Sequence, residues 1–212
     1  ISPAEFIPIL EESGLIIPAG RWIIREALQA CKKIRETVPD FQVSINISQI
    51  QIEKSDVIQD ISAELENTKL PPEALIVELT ESALLEDNSN ARHFLKELRK
   101  AGIRLALDDF GSGYSNSDIL VSRQFDFVKL DMSLIQNIHL YPSTQDLVKH
   151  IIDYCHANGQ MVIAEGIEKK EELSMVISMG VDYLQGFLLG RADSTLSQPD
   201  LTILRQVLSE IQ

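Results

Sequence analysis

The feature that most constrains the fold is a regular alternation of short apolar runs with amphipathic helical patterns. Strand-like runs cover Val43 to Ser48, Leu75 to Thr80, Ile103 to Asp108, Phe127 to Asp131, Met161 to Glu165 and Tyr183 to Phe187. Apolar residues at helical spacing lie between them, and the unit recurs every roughly 25 to 35 residues, the size of a βα unit. Strands that alternate with helices predict parallel strands in an α/β fold.

Two helical patterns precede the first predicted strand. Ser2 to Gly14 is typical of a short helix, with Ser2 as its N-cap, Pro3 in the first turn and Glu5 completing a capping box. Arg21 to Val38 carries a second stripe of apolar residues at helical spacing. The chain therefore opens in helices, and no strand is predicted before them.

The strand count leaves two interpretations open. Six predicted strands are two fewer than the eight of a closed β/α barrel. Either the chain forms an open six-stranded sheet, or it is a barrel whose first two strands lie outside this chain. No linker or low-complexity stretch interrupts residues 1–212, which predicts one domain over that range.

Composition limits the classes of partner. The formal net charge is −13, and an acidic surface repels a phosphate backbone, which argues against binding to long DNA or RNA. A small anionic ligand stays possible, because a metal held by clustered carboxylates reverses the local sign of charge. No run approaches the roughly 20 apolar residues of a membrane span, so we expect no membrane contact by this domain. Cys31 and Cys155 make no disulfide framework, which favours a reducing, cytoplasmic setting.

Each predicted strand ends in polar or charged side chains, although its body is apolar. Strand by strand these are Asn46, Glu78, Asp108 with Asp109, Lys129 with Asp131, Glu165, and Gln185. In parallel α/β proteins the C-terminal ends of the strands form the edge that bears the site. A single acid at a strand end is commonly the first residue of a solvated loop. The same feature on six strands instead predicts a functional site, because buried charge is costly unless it is paired or bound to metal.

The residue types indicate the chemistry of that site. Three of the side chains are hard oxygen ligands that suit Mg²⁺ or Mn²⁺ and are poor for zinc: Asn46, Glu78 and Asp108. Asp108 and Asp109 are adjacent, so their side chains should diverge, and one carboxylate can bridge two metals while its neighbour reaches only one. Two metals roughly 4 Å apart are a standard arrangement for cleaving phosphodiesters. Lys129 adds a fixed cation, and Glu165 is a candidate general base or second-metal ligand.

Other reactive residue types carry less weight. The four histidines show no ligand spacing and are interpreted as surface or packing residues: His93, His139, His150 and His156. Cys31 and Cys155 lie in helical patterns and are predicted to be core residues. Gly111-Ser112-Gly113 could cradle a phosphate, but a lone glycine-rich triplet more commonly gives a loop its backbone freedom.

Several longer motifs follow one another along the chain: Glu78-Leu79-Thr80-Glu81-Ser82, the run IRLALDDFGSGYS from Ile103, Val128-Lys129-Leu130-Asp131, Ala164-Glu165-Gly166-Ile167-Glu168 and Gln185-Gly186-Phe187. In this order they resemble the motifs of the EAL domain family. The opening SPAEFIPILEESGLI, with GRWIIREA after it, also fits. The resemblance covers essentially the whole chain.

The resemblance implies a TIM-like β/α barrel that cleaves cyclic di-GMP to linear pGpG with two Mg²⁺ or Mn²⁺ ions. By motif position, Asn46, Glu78 and Asp108 would hold the first metal. Asp108 would bridge to the second, which Asp109 would help to bind.

The remaining motif residues would act on water, substrate and a loop. Lys129 would orient the nucleophilic water, and Glu165 would act as base or second-metal ligand. Glu81 would pin the loop from Asp108 to Tyr114, which is implicated in dimerisation. The ligand pocket would be lined by Asp131, Glu168, Gln185 and Gly186. The resemblance also implies a homodimer, and fusion to GGDEF or sensory modules in a parent chain that can be membrane-tethered.

The chain departs from the family pattern in a few places. The signature Glu-Ala-Leu, whose Glu is a metal ligand, is absent from this sequence. It normally lies on a strand shortly before the first helix, which agrees with the count of two strands outside the chain. Smaller departures are Ser112 for Thr, Asn116 for Ser, and Arg191-Ala192 for Arg-Pro, the last of which would alter the pocket rim.

Three functions compete. The leading prediction is hydrolysis of cyclic di-GMP, because every catalytic position of the family within this chain carries the expected residue. The alternative is a catalytically inactive EAL domain that acts as a cyclic di-GMP receptor. A third interpretation, an enolase-type lyase, is disfavoured by the adjacent Asp108 and Asp109 and by the lack of an obvious second Lys or His base.

Overall fold

The computed structural model describes residues 1–81, 83, 89–113, 120, 124–191 and 201–211. The chain divides into two compact units, Ile1–Ala106 and Leu107–Gln212. The single domain predicted over residues 1–212 stays a prediction. Within the described ranges, no helix is both long and apolar enough to cross a bilayer.

The first unit builds a parallel strand pair against helices. Its elements are α1 (Pro3–Ser13), α2 (Ile16–Arg35), β1 (Val43–Asn46), α3 (Gln49–Lys54), α4 (Val57–Thr68), a 3₁₀ turn (Pro72–Ala74), β2 (Leu75–Thr80), α5 (Ser89–Lys100) and the start of β3 (Arg104–Phe110). Strands β1 and β2 are parallel, with Ile45 opposite Val77 and Asn46 opposite Glu78. The apolar stripes of α2 and α4 are buried at Ile24, Leu28, Cys31, Ile61 and Leu65, as helical spacing predicts.

The second unit repeats the strand–helix pattern. It contains the end of β3, then β4 (Phe127–Leu130), α6 (Met132–Ile135), a 3₁₀ turn (Ile138–Leu140), α7 (Pro142–Ala157), β5 (Met161–Ala164), α8 (Lys170–Ser178), β6 (Tyr183–Leu184) and α9 (Thr202–Ile211). Strands β4, β5 and β6 are parallel, with Leu130 opposite Ala164 and Ala164 opposite Leu184. Val128, Leu130, Val162 and Ala164 share one face of these strands and are buried, and in β4 the opposite face is buried too, at Phe127 and Lys129.

The strand order follows the chain, β1-β2-β3 in the first unit and β3-β4-β5-β6 in the second. Each step along the sheet moves to the next strand in sequence, and helices lie between β1 and β2, between β2 and β3, between β4 and β5, and between β5 and β6. The α/β fold with six strands that the sequence predicts is therefore confirmed for the described residues.

Several boundaries differ from the sequence prediction for local reasons. Ser2 stands at the N-cap position of α1, but its side chain makes no capping hydrogen bond, so the predicted capping box is wrong. Helix α2 begins at Ile16 rather than Arg21, since Pro18 falls in the first turn, where no N–H is needed. Helix α3 was missed by the sequence analysis, although Ser48 and Gln51 form a reciprocal capping box at its start.

Candidate active site

In the first unit, two predicted site residues meet at the ends of neighbouring strands. Because β1 and β2 are parallel and in register, Asn46 stands beside Glu78 on the same face. Asn46 Nδ2 donates a hydrogen bond to Glu78 Oε2 at 3.1 Å. Glu78 is 5% exposed, whereas Asn46 is exposed. The strand pair thus presents a buried carboxylate and a surface amide as adjacent oxygen donors.

A cavity of about 760 Å³ lies within the first unit beside β1, and Asn46 is at its edge. Half of its lining residues are isoleucine or alanine, from α1, α2 and the segments around β1 and β2, among them Ile24, Ala27 and Ile45. Apolar walls favour the burial of other apolar groups and do not suit a phosphate. This cavity is therefore a poor candidate for the substrate site.

In the second unit, a buried ammonium joins two of the predicted carboxylates. Lys129 Nζ lies 2.7 Å from Asp108 Oδ1 and 2.8 Å from Glu165 Oε1. Lys129 is 4% exposed and Asp108 is 7% exposed. Strands β3 and β4 carry Asp108 and Lys129, and Glu165 directly follows β5. Consecutive parallel strands therefore bring together charges that are far apart in sequence, and each charge compensates the burial cost of the other.

The same carboxylates form a group with the chemistry of a metal site. Oxygens of Asp108, Asp109 and Glu165 lie within 4.8 Å of one another. Three carboxylates with one ammonium leave an excess of negative charge that a divalent cation would neutralise. Hard carboxylate donors suit Mg²⁺ or Mn²⁺. The residues present therefore fit the metal that the family resemblance implies.

Asp109 approaches Asp108 because its backbone leaves the strand conformation. Adjacent strand residues face opposite sides, which predicts that these two side chains diverge. Asp109 instead has φ of 56°, in the left-handed region that few non-glycine residues adopt. Its N–H donates to Asp108 Oδ1 at 3.1 Å. Backbone strain of this kind concentrates at functional sites.

The loop after β5, Glu165–Lys169, packs against the segment after β6 that carries the predicted residue Gly186. Ile167 donates its N–H to Gln185 O at 3.1 Å and accepts one from Leu188 at 3.1 Å. Gly186 is required at this crossing, because a Cβ there would collide with the backbone of Ile167. Gly186 is predicted to line the ligand pocket, and its packing against Ile167 is a separate reason for glycine at this position.

The other predicted pocket residues lie at strand ends of the second unit, in differing environments. Glu168 and Gln185 are exposed. Asp131 caps α6, since its Oδ1 accepts the Ser133 N–H at 2.9 Å; the sequence analysis did not foresee this helix. In the first unit Glu81 is buried directly after β2. Ser82, Tyr114, Ser115, Asn116 and Ala192, which the motif comparison used, lie outside the described residues.

Cys31 and Cys155 are fully buried, which confirms their prediction as core residues.

Glu172 was not singled out from the sequence, yet it is buried and accepts backbone N–H groups from the loop after β5. Its position at the third residue of α8, after Lys169, is the available sequence signal, since Glu at this position commonly closes a capping box.

Comparison with known proteins gives a consistent result. The family model for the EAL domain matches residues 1–192. Signaling protein YkoW of Bacillus subtilis is 37% identical over 89% of the chain and 24% of its own length. Cyclic di-GMP phosphodiesterase PdeR of Escherichia coli is 35% identical over 90% of the chain and 29% of its own length. The chain thus spans about a quarter of the length of these relatives.

Solved structures agree with the sequence relatives. The complex of PaMucR phosphodiesterase with c-di-GMP has a TM-score of 0.82 at 29% identity, over 90% of this chain and 78% of that one. Klebsiella pneumoniae BlrP1, in a manganese and cyclic di-GMP complex, has a TM-score of 0.71 at 31% identity, over 81% and 44%. Another BlrP1 structure holds calcium with the same ligand. These similarities confirm the predicted fold class.

Proposed function

The chain belongs to the EAL domain family, and on that premise we propose that it hydrolyses cyclic di-GMP to linear pGpG with divalent metal. The observation that carries the proposal is the buried Lys129 between Asp108 and Glu165, with Asp109 beside them. Relatives named cyclic di-GMP phosphodiesterase support the substrate and the reaction. The similar structure of BlrP1, a complex with manganese and cyclic di-GMP, supports the class of metal.

The metal would be held by Asp108, Asp109 and Glu165, whose oxygens fit a hard divalent cation. When bound, such ions neutralise phosphate charge and lower the pKa of bound water. We propose two Mg²⁺ or Mn²⁺ ions on the family resemblance, with Asn46 and Glu78 as further ligands.

Lys129 would act on the attacking water and on the charge that develops at phosphorus. Its ammonium is held in place by two carboxylates before any substrate arrives. A fixed cation in a buried setting stabilises negative charge without reorganising during the reaction. Glu165 can accept a proton from water at the oxygen that now contacts Lys129, which is the role of a general base.

Substrate contacts are proposed at the strand ends of the second unit. Glu168 and Gln185 are exposed and offer a carboxylate and a carboxamide, groups that can pair with the edge of a guanine base. Asp131 and Gly186 would complete this lining. The role of Glu81 in pinning the loop from Asp108 to Tyr114, homodimer formation, and fusion to GGDEF or sensory modules all stay predictions.

The test is product formation by the full-length protein. We expect conversion of cyclic di-GMP to pGpG with Mg²⁺ or Mn²⁺, no turnover with Ca²⁺, and loss of turnover in Asp108→Asn. Asp146→Asn is a matched control, because it makes the same change on α7, away from the cluster. Turnover that persists without divalent metal, or that survives in Asp108→Asn, would contradict the proposal.

The second candidate is a cyclic di-GMP receptor. The observation that favours it is the internal ammonium, since Lys129 contacts two of the carboxylates and can hold the cluster together in a protein that only binds. Binding of cyclic di-GMP by the full-length protein, with no pGpG under saturating Mg²⁺ and Mn²⁺, would establish the receptor function instead.

A further inference from the structure

Glu172 is a buried carboxylate that the proposed chemistry does not use. It is 1% exposed and lies in the first turn of α8. Its Oε1 accepts the Asn137 N–H at 2.8 Å. Its Oε2 accepts the N–H groups of Glu168 and Lys169, each at 3.0 Å. One side chain therefore satisfies three backbone donors from two separate loops.

Those two loops follow the strands that carry the charged cluster. Asn137 lies beyond α6, in the connection after β4, whose third residue is Lys129. Glu168 and Lys169 end the loop after β5, which begins at Glu165. Lys169 Nζ also donates to Asn137 Oδ1 at 2.6 Å, so a second contact joins the same two loops.

The loop after β5 is held at both ends. Its first residue, Glu165, donates its N–H to Leu130 O at 3.2 Å, which ties it to the end of β4. In the middle, Ile167 is tied to the end of β6 through Gln185. At the far end, the contact is with the Glu172 carboxylate. Glu165 and Glu168 therefore lie on a loop whose C-terminal end is held by the Glu172 carboxylate.

The ionisation of Glu172 strengthens this hold. Burial alone would raise the pKa of Glu172, but the backbone donors of Asn137, Glu168 and Lys169, with the Lys169 ammonium, lower it below its ordinary value. The group is therefore a carboxylate at neutral pH. Hydrogen bonds to a charged acceptor are about twice as strong as neutral ones.

We propose that Glu172 is a positioning residue, which clamps the loop after β5 so that Glu165 stays 2.8 Å from Lys129 and Glu168 stays at the strand end. Outer residues that orient metal ligands commonly affect metal affinity as much as some ligands do. The catalytic part of this inference rests on the proposed function, whereas the clamp itself does not.

The clamp is tested first without any activity. In full-length Glu172→Ala, we expect the backbone amides of Asn137, Glu168 and Lys169 to lose protection from hydrogen exchange. Glu172→Gln keeps the volume but has one accepting oxygen, so it can hold one loop and must release the other. Glu171→Gln is the matched control, because this neighbouring glutamate is exposed.

The second readout is metal binding, followed by the EPR signal of free Mn²⁺. We expect the dissociation constant for Mn²⁺ to rise about 10-fold in Glu172→Ala, less in Glu172→Gln, and not at all in Glu171→Gln. In turnover assays KM for cyclic di-GMP should rise more than kcat falls, because the loop carries Glu168. A merely structural role would lower the melting temperature without moving either constant.

The outcomes separate the two proposals. Wild-type protection of the three amides in a folded Glu172→Ala or Glu172→Gln protein would overturn the clamp. Lost protection with unchanged Mn²⁺ affinity and KM would overturn the positioning role. A wild-type protein that makes no pGpG contradicts the proposed function. In that case amide exchange and Mn²⁺ binding still test whether Glu172 positions the loop.

Discussion

The two units treat their strand-end carboxylates differently. In the first, the buried Glu78 carboxylate accepts a hydrogen bond from the neutral side-chain amide of Asn46 at 3.1 Å. In the second, Asp108 and Glu165 share the ammonium of Lys129 at 2.7 and 2.8 Å. A buried ion pair is costly to break, while a hydrogen bond from a neutral amide to a carboxylate contributes less to stability. The second pattern should therefore matter for both stability and chemistry, and the first mainly for chemistry.

The largest effect is expected from Lys129→Met. It leaves two buried carboxylates without their shared cation, so the free energy of unfolding should fall by about 3 kcal/mol. Turnover should fall on the order of 10³-fold, since the fixed positive group that we propose beside the reacting phosphate is lost. Denaturant unfolding and initial rates of pGpG formation measure the two effects.

The control for Lys129→Met is Lys170→Met. Lys170 also pairs with a carboxylate, Glu210, at 2.8 Å, but the two side chains are 35% and 54% exposed. Solvent screens such pairs, so this variant should behave like the wild type. If both variants lost the same stability, burial would not be the reason that the Lys129 ion pairs stabilise the second unit.

Glu78→Gln is expected to have the next largest effect. The carboxamide oxygen can still accept from Asn46, so stability should change by no more than about 1 kcal/mol. Turnover should fall on the order of 10²-fold, because the carboxylate that we propose as a metal ligand is lost. Combined with Asp108→Asn, the losses should be strongly non-additive if both residues serve the same ions. Wild-type rates in Glu78→Gln would show that the first unit has no part in the chemistry.

A smaller effect is expected in the pH dependence of stability. Because the pKa of Glu172 is lowered in the folded protein, its contribution is complete above the ordinary glutamate pKa of about 4.3. It is lost as pH falls through the folded value. Thermal unfolding of the wild type and of Glu172→Gln should therefore differ most at neutral pH. The two melting temperatures should converge in acid, and a constant difference would contradict this.

The smallest effect concerns the thiols, which report on each unit separately. Burial, and secondarily the charge of Asp182, raises the pKa of Cys155 to about 12. Burial also raises the pKa of Cys31. Both thiols should be unreactive toward a disulfide reagent at pH 8 until the protein opens. Their separate modification rates then compare opening of the first unit, at Cys31, with opening of the second, at Cys155. Immediate labelling of either would contradict its burial.

Much of this architecture could be predicted from local patterns. Strand β2 has the bounds that alternation predicts, Leu75–Thr80, and the other strands begin within one residue of their predicted starts. The turn at Asp109 could not be predicted, because a left-handed backbone at a non-glycine residue is set by its surroundings. Glu172 was missed for a similar reason, as its donors Asn137 and Glu168 belong to other loops.

The sequence by itself determined the kinds of side chain at the strand ends, the strand–helix alternation and the family. Those properties are local, since they depend on neighbouring residues and on spacing. Only the tertiary structure decided that Asp108 and Glu165 share Lys129, and that Glu172 joins the loops after β4 and β5. Such contacts link residues that are distant in sequence, and their distances are set by strand register and packing.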